Sequence, residues 1–269
     1  MGHILQMEDY LKKYDSFTKI IVFDFKKGHG GIGDCIKFFM HTLNLCMKYN
    51  IKLFYLVNNN LLEKYLKLKY EKMYINKTNI LESFMCNTHE VEHLQDGIYN
   101  IMEPALFYSV YNDNNMVIPI NEVFTFSDEV KINGCRLNVN NVSNYISLHL
   151  RLGDKYLETD HSFVLVKHDA RIFNEDNIVH FIHANSDKNI LFFCDNHAYK
   201  LHMKTKCKNV IILNCDIGHT SLSNTTDAQI LDAITEFYLM TNSEQICSAS
   251  YSGFSVMAAK FNNIPIISI

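Results

Sequence analysis

The sequence predicts an α/β fold with parallel sheets, divided between two domains. Apolar, β-branched segments alternate with segments of helical periodicity near both ends of the chain. The strand-like segments are continuous apolar runs, which is typical of strands that helices cover on both faces. A length of 269 residues suits one large domain or two small ones. The alternation favours two, each of them Rossmann-like.

The first half of the chain begins with the order strand, helix, strand, helix. Residues 19–25 are β-branched and aromatic and precede a glycine cluster, which predicts a buried strand that ends in a turn. Residues 32–48 carry apolar side chains at helical spacing. A second strand is predicted at residues 51–57 and a second helix at residues 61–69. Residues 74–137 have no clean period, and we expect short strands and loops there, with room for one helix.

From residue 144 onward, strand and helix alternate regularly. The predicted strands are residues 145–150, 189–194, 209–214, 245–249 and 265–269. The predicted helices are residues 175–184, 197–206, 227–241 and 253–261. We therefore expect an N-terminal domain over residues 1–140 and a C-terminal domain over residues 144–269.

Composition excludes several classes of function. The net charge of -4 and the pI of about 6.3 give no global field that would attract nucleic acid or an anionic membrane. No apolar stretch approaches the roughly 20 residues of a membrane span, and the start of the chain does not resemble a signal peptide. The eight cysteines form no C-x-x-C pair, so buried thiols are expected rather than a metal site. We expect a soluble, cytoplasmic protein.

A glycine-rich segment between the first strand and the first predicted helix is one candidate site. Gly28, Gly30 and Gly33 match G-x-G-x-x-G, the pattern of dinucleotide-binding turns. Such sites also need an acidic residue after the second strand, and residues 56–60 contain none. With Gly31, these glycines also fit a plain strand-to-helix turn or a loop that faces a sugar or phosphate.

The strand end at residues 149–154 is the second candidate site. Strand alternation places His149 and Arg151 on one face and Leu150 and Leu152 on the other. An arginine at the carboxyl end of a parallel strand suits a diphosphate, which it can bind through two hydrogen bonds. The alternative interpretation is an ion pair between Arg151 and Asp154 that stabilises a turn.

A serine-rich turn at residues 248–255 is the third candidate site. It lies between a predicted strand and a helix, so its hydroxyl and N–H groups can bind an anion. Ser252 is equally well placed as an ordinary helix N-cap.

Taken in order, these segments resemble motifs of the fucosyltransferase superfamily, and the α-1,2-fucosyltransferases most. The similar segments are residues 30–34, 149–154, 192–195, 236–241 and 250–255. Three positions depart from the family pattern: Leu152 replaces a second arginine, Glu236 an aspartate and Asp34 an asparagine.

The resemblance implies two Rossmann-like domains that face each other across a cleft, a GT-B-like arrangement. It implies an inverting, metal-independent transfer of fucose from GDP-fucose to a hydroxyl of a glycan or glycoconjugate, without a cofactor. The N-terminal domain would bind the acceptor and the C-terminal domain the donor. Three alternatives stay open: another nucleotide sugar as donor, an inactive glycan- or nucleotide-binding homologue, and an NAD-binding enzyme.

The resemblance also implies residue roles. Arg151 would neutralise the leaving diphosphate, and His149 with Asp195 or Glu236 would lie near the nucleotide base. The complete set implied for donor binding is His149, Arg151, Asp154, Asp195, Glu236, Ser252, Gly253, Phe254 and Ser255. A general base must also activate the acceptor hydroxyl. Asp34 and Glu158 are the favoured candidates, although spacing does not separate them from Asp154 and Asp160.

Overall fold

A computed structural model gives the conformation of most of the chain. It describes residues 2–26, 29–58, 61–76, 84–86, 88–101, 118–137, 142–153, 171–218 and 225–269. The chain forms two compact units. The first contains Met1–Gly30 and Asp34–Thr125, and the second contains Gly31–Gly33 and Phe126–Ile269.

The first unit is built on a parallel sheet of five strands. Its elements in chain order are α1 (Gly2–Lys13), β1 (Lys19–Phe23), α2 (Ile32–Tyr49), β2 (Lys52–Val57), α3 (Leu61–Tyr65), β3 (Leu66–Leu68), β4 (Tyr74–Asn76), β5 (Phe84–Cys86), β6 (Gly97–Ile101), α4 (Ile120–Val123) and β7 (Phe124–Phe126). The strand order is β4-β2-β1-β6-β5, with β3 and β7 paired separately. The central position of β1 explains its uninterrupted apolar sequence.

Aromatic side chains fill much of the core of this unit. The Phe39 ring on α2 contacts Phe23 at 5.3 Å, Tyr55 at 5.8 Å and Phe124 at 5.2 Å between ring centroids. These separations are typical of aromatic pairs in protein cores. Helix α2 is therefore held on the sheet by its aromatic face.

Helix α1 is attached to the sheet through a buried tyrosine. The Tyr10 hydroxyl donates to the carbonyl of Ile51 at 2.6 Å and accepts from the Leu53 amide at 3.0 Å. Its hydroxyl therefore satisfies backbone groups beside β2. The predicted helix over residues 61–69 is wrong in its second half, because the chain becomes extended at Leu66 and pairs with β7.

The second unit contains another parallel sheet of five strands. Its elements are α5 (Asp128–Leu137), β8 (Ile146–Leu150), α6 (Glu175–Ala184), β9 (Ile190–Cys194), α7 (His197–Lys206), β10 (Val210–Ile212), α8 (Asp227–Met240), β11 (Gln245–Ser248), α9 (Gly253–Phe261) and β12 (Ile266–Ser268). The strand order is β10-β9-β8-β11-β12. The predicted α/β fold with parallel sheets is confirmed.

Strand β8 is the point at which the order of this sheet reverses. Its chain successor β9 pairs on one side, and β11 pairs on the other. Crossovers that leave in opposite directions open a crevice at the carboxyl ends of the strands, where parallel α/β sheets bind ligands. The segment that follows β8 therefore lies at the expected ligand-binding edge.

The core of the second unit continues past the end of β8. Leu148, Leu150 and Leu152 all belong to one buried cluster with Phe192 and Cys247. Leu152 thus serves the core, whereas the family pattern has an arginine at this position. No helix within the described residues is both long and apolar enough to cross a bilayer.

Candidate functional site

The end of β8 separates polar from apolar side chains as predicted. His149 is buried and stacks on the Phe254 ring, with 5.3 Å between centroids and 24° between planes. Leu150 and Leu152 face the core cluster. Phe254 belongs to the first turn of α9, so this contact joins two of the three candidate segments.

Arg151 is paired with Asp195, the residue that follows β9. The Arg151 Nε and Asp195 Oδ2 atoms are 3.4 Å apart, and both side chains are largely buried. Asp195 also accepts hydrogen bonds from the amides of Leu152 at 2.7 Å and Gly153 at 3.0 Å. Gly153 has a φ of 111°, which glycine adopts without strain. Asp195 therefore fixes the turn that carries Arg151.

The serine-rich turn is fastened to the same segment. The Ser250 hydroxyl accepts from the Arg151 amide at 2.9 Å and donates to the Arg151 carbonyl at 3.0 Å. Ser252 is the N-cap of α9, and its hydroxyl accepts from the Phe254 amide at 3.3 Å. Ser255 Oγ donates to the Ser252 carbonyl and lies 2.9 Å from Ser248 Oγ. The serines thus hold α9 with its N-terminus beside Arg151.

A second buried ion pair lies close to the first. Lys200 on α7 places its Nζ 2.6 Å from Oε1 of Glu236 on α8, and the two side chains are only 1% and 5% exposed. The sequence motifs include no lysine here, because a lysine in a helix of mixed polarity is usually on the surface. Its burial is the feature of the site that sequence reasoning missed.

The surroundings of His149 keep its imidazole neutral. Burial is the main cause that lowers the pKa of His149 to about 3, and the charges of Arg151 and Lys200 lower it further. Nδ1 is buried and has no hydrogen-bond partner among the described residues. A neutral imidazole with an unsatisfied nitrogen suits a polar ligand group better than a phosphate.

The glycine segment divides between the two units. Gly30 has a φ of 133°, and a Cβ there would lie 2.5 Å from Oδ2 of Asp34. Gly33 clusters with the second unit, where an added Cβ would lie 2.9 Å from the Gly253 carbonyl oxygen. Gly30 and Gly33 are thus required by backbone conformation and close packing. Gly28 and the segment at residues 59–60 lie outside the described residues, so the dinucleotide alternative stays a prediction.

Several predicted site residues are not placed by the structure. Asp154, Glu158 and Asp160 lie outside the described residues, and so does the alternative ion pair between Arg151 and Asp154. Within the described part of the chain, no group of three or more His, Cys, Asp or Glu side chains is arranged to hold a metal ion. The described site therefore comprises the ends of β8, β9 and β11 with the starts of α7 and α9 and the middle of α8.

The site combines charged and hydrogen-bonding side chains that are largely buried. Two cations and two carboxylates form adjacent ion pairs, with a neutral imidazole beside them. Buried charges are costly unless they are paired, so such a group is retained where a ligand uses it or where it fixes the fold. The arrangement can bind an anion at Arg151 and the N-terminus of α9, and a polar ring system near His149 and Glu236.

No family model and no curated protein sequence matches the chain. Solved structures do match. NodZ, an alpha-1,6-fucosyltransferase from Bradyrhizobium co-crystallized with GDP, is 10% identical with a TM-score of 0.61, covering 93% of this chain and 94% of NodZ. A mutant of Arabidopsis thaliana FUT1 in complex with GDP is 11% identical with a TM-score of 0.58, covering 98% and 74%.

A third similar structure is POFUT1 in complex with GDP. It is 9% identical with a TM-score of 0.51, and the match covers 93% of this chain and 98% of POFUT1. At these identities the likeness shows the fold alone. The chain therefore has the α/β fold with parallel sheets that these fucosyltransferases share.

Proposed function

We propose that this protein is a glycosyltransferase that uses a nucleotide sugar, with GDP-fucose as the donor and a glycan hydroxyl as the acceptor. The observation that carries the proposal is Arg151, which sits at the end of β8 where the strand order reverses. The similar structures of FUT1, NodZ and POFUT1 contain GDP, which supports this choice of nucleotide.

Arg151 acts on the leaving group in this mechanism. Negative charge grows on the diphosphate as the bond to the sugar breaks, and a preorganised guanidinium stabilises that charge most in the transition state. Asp195 holds the Arg151 side chain before substrate arrives, because the carboxylate is itself fixed by the Leu152 and Gly153 amides. The N-terminus of α9 with Ser252 adds partial positive charge on the same side.

The nucleotide base is bound near His149 and Glu236 in this proposal. An ionised carboxylate accepts from N1–H and N2–H of guanine, groups that adenine does not present in that arrangement. Asp195 is less suited to the base, since its two oxygens already serve the turn at Leu152 and Gly153. We therefore assign base recognition to Glu236 and positioning to Asp195.

The transfer is proposed to be inverting and independent of metal ions. In an inverting transfer, a general base removes the proton of the acceptor hydroxyl as it attacks the anomeric carbon. Asp34 and Glu158 are the proposed bases. Retention of the anomeric configuration in the product, measured by NMR, or loss of transfer in EDTA that Mg²⁺ restores, would contradict these parts of the proposal.

Replacing Arg151 tests the central claim. Arg151→Ala is expected to lower kcat by about 10²-fold or more and to weaken GDP binding about 10- to 100-fold, with the fold retained. Transfer from GDP-fucose, calorimetric titration with GDP and thermal melting would measure these effects. Arg136→Ala is the matched control, because Arg136 is exposed on α5. Unchanged turnover in Arg151→Ala would remove the claim.

One observation favours a second candidate function, a nucleotide-binding protein without turnover. Leu152 is packed in the core and contributes no charge where the family pattern has a second arginine. The titration distinguishes the two candidates, because GDP binding without donor hydrolysis or transfer would favour the inactive protein.

A further inference from the structure

The sequence motifs include Glu236 but not Lys200, its buried partner. Lys200 is completely buried, and its ammonium contacts Glu236 Oε1 at 2.6 Å. Ordering and burying a lysine is costly, and an apolar residue of similar volume often stabilises a protein as well as a buried ion pair does. The pair therefore calls for a functional explanation.

The geometry leaves part of the Glu236 carboxylate for a ligand. Oε1 is bound by Lys200, whereas no hydrogen bond from the described residues reaches Oε2. Lys200 also lines a cavity of about 10 Å³, room for about one water molecule, together with Asp195 and Cys215. Lys200 thus contacts the carboxylate and also lines a small polar cavity.

We propose that Lys200 is a positioning residue, which holds the Glu236 carboxylate ionised and in place so that it selects guanine over adenine in the donor. This inference rests on the proposed function, because it concerns the base-binding end of the same site. An ionised carboxylate accepts from N1–H and N2–H of guanine, whereas a protonated one can donate to N1 of adenine. The charge of Glu236 therefore decides which base is bound.

Burial works against the ionised state of Glu236, and Lys200 opposes that effect. The pKa of Glu236 is raised overall, because burial raises it more than the charge and hydrogen bond of the Lys200 ammonium lower it. Burial alone would lower the pKa of Lys200, yet the Glu236 carboxylate raises it overall, so the lysine remains charged. In the absence of this ammonium the carboxyl would take up a proton at higher pH.

Other ionisable groups around Glu236 cannot replace Lys200. Asp232 on α8 and Asp195 after β9 are acidic, and both raise the pKa of Glu236. The thiols of Cys194 and Cys215 face it as well, and burial raises the pKa of each thiol, so they stay neutral. Among the described residues Lys200 is the cation in direct contact with Glu236.

The experiment measures GDP and ADP affinity by calorimetry between pH 6 and 9 for the wild type, Lys200→Met and Lys200→Arg. The wild type should bind GDP with little dependence on pH. Lys200→Met should bind GDP at least tenfold more weakly at pH 6, regain affinity as the pH rises, and discriminate less against ADP. Lys200→Arg should restore both the affinity and the flat profile.

The thermal stability of Lys200→Met should change with pH in the opposite direction to its GDP affinity. If Lys200→Met leaves a protonated Glu236 in the folded state, the variant should lose stability as the pH rises, while its GDP affinity increases. A general weakening of the fold would not produce opposite trends. Thermal melting over the same pH range measures this, and the double variant Lys200→Met with Glu236→Gln should lose both trends.

The outcomes separate the two proposals. Failure of the wild type to bind GDP would remove the proposed function. GDP binding by the wild type, with a Lys200→Met profile that superposes on it, would overturn the role of Lys200 alone. If Lys200→Met does not fold, the double variant decides: pH-dependent GDP binding without either charge would also overturn that role.

Discussion

The carboxyl edges of the two sheets differ in how deeply their charged side chains are buried. In the first unit, Asp24 follows β1 and pairs with Lys26 at 2.9 Å, and the lysine side chain is 62% exposed. In the second unit, Arg151 and Asp195 form a pair whose side chains are 16% and 4% exposed. The same position in a parallel sheet thus carries a pair with an exposed cation in one unit, where the Asp24 side chain is 16% exposed, and a pair with both partners buried in the other.

This difference shows where binding energy can be concentrated. A solvated ion pair contributes little, because water screens it and either partner can be solvated instead. A buried pair acts at low dielectric, so a ligand that enters it meets strong, oriented charge. The edge of the second sheet is therefore the better candidate for the site, and removal of Asp195, which also accepts from two backbone amides, should cost more stability there than the matched change in the first sheet.

The largest expected effect comes from breaking the buried pair. Asp195→Ala should lower the free energy of unfolding by about 3–5 kcal/mol, because it leaves Arg151 and two backbone amides without their acceptor. Asp24→Ala, the matched change in the first unit, should cost less than Asp195→Ala, because water can solvate the exposed Lys26 ammonium. Urea unfolding with hydrogen exchange of β8 and β1 amides measures both, and equal costs would contradict the comparison.

A second effect concerns pH. The unfolded chain protonates His149 near pH 6.5, whereas the folded protein does so only near pH 3, so stability falls as the pH drops between these values. The slope should reach at most about 1.4 kcal/mol per pH unit. His149→Gln should reduce it, and His183→Gln, at an exposed histidine of α6, should not. The free energy of unfolding would be measured at several pH values. A slope that stays unreduced in His149→Gln would show that His149 is not buried in its neutral form.

The smallest expected effect tests whether burial, rather than position in the second unit, determines the cost of breaking an ion pair. Glu175 on α6 pairs with Lys206 at 2.6 Å and His202 at 3.1 Å, but its side chain is 30% exposed. The Lys206 hydrogen bond is the main cause that lowers the pKa of Glu175 to about 2. Its stabilisation is therefore present near neutral pH and is lost as the pH falls towards 2.

Glu175→Gln should accordingly lower the free energy of unfolding by less than about 1 kcal/mol at pH 7, because solvent screens the exposed pairs. The difference from wild type should shrink as the pH falls from about 4.5 towards 2, because the unfolded chain binds a proton at Glu175 in this range before the folded protein does. Urea unfolding at pH 7 and pH 3 would measure both values. A cost comparable with that of Asp195→Ala would show that exposure does not govern these pairs.

Much of the second sheet could be predicted, because its apolar runs and helical periodicity lie within short segments of the sequence. The apolar runs that form β8 and β9 differ from the prediction by one residue at their starts, and α6 and α7 begin and end as predicted. The first sheet was harder to predict, because the segments that form β5 and β6 lack a period that separates them from loops. Helix α1 was also missed, because its attachment depends on the distant contact of Tyr10 with the backbone beside β2.

The site also has some features that follow from local sequence and others that depend on contacts between distant segments. Alternation along β8 predicted the opposite facing of His149 and Leu150, which the structure bears out. It did not predict that Asp195 would bind the turn after β8 or that Lys200 would be buried against Glu236. Both contacts join segments about 40 residues apart in sequence, and no periodicity within one segment carries that information.

The bond between Arg151 and Ser250 also has a consequence for how the protein is made. These residues are 99 positions apart, and β8 cannot pair with β11 until that whole intervening chain has been synthesised. Closing so long a loop slows folding, because its entropic cost is incurred before the contacts form. On the ribosome, β8 therefore waits as an exposed apolar strand with one edge unpaired, and chaperones that cover such edges would help this chain to mature.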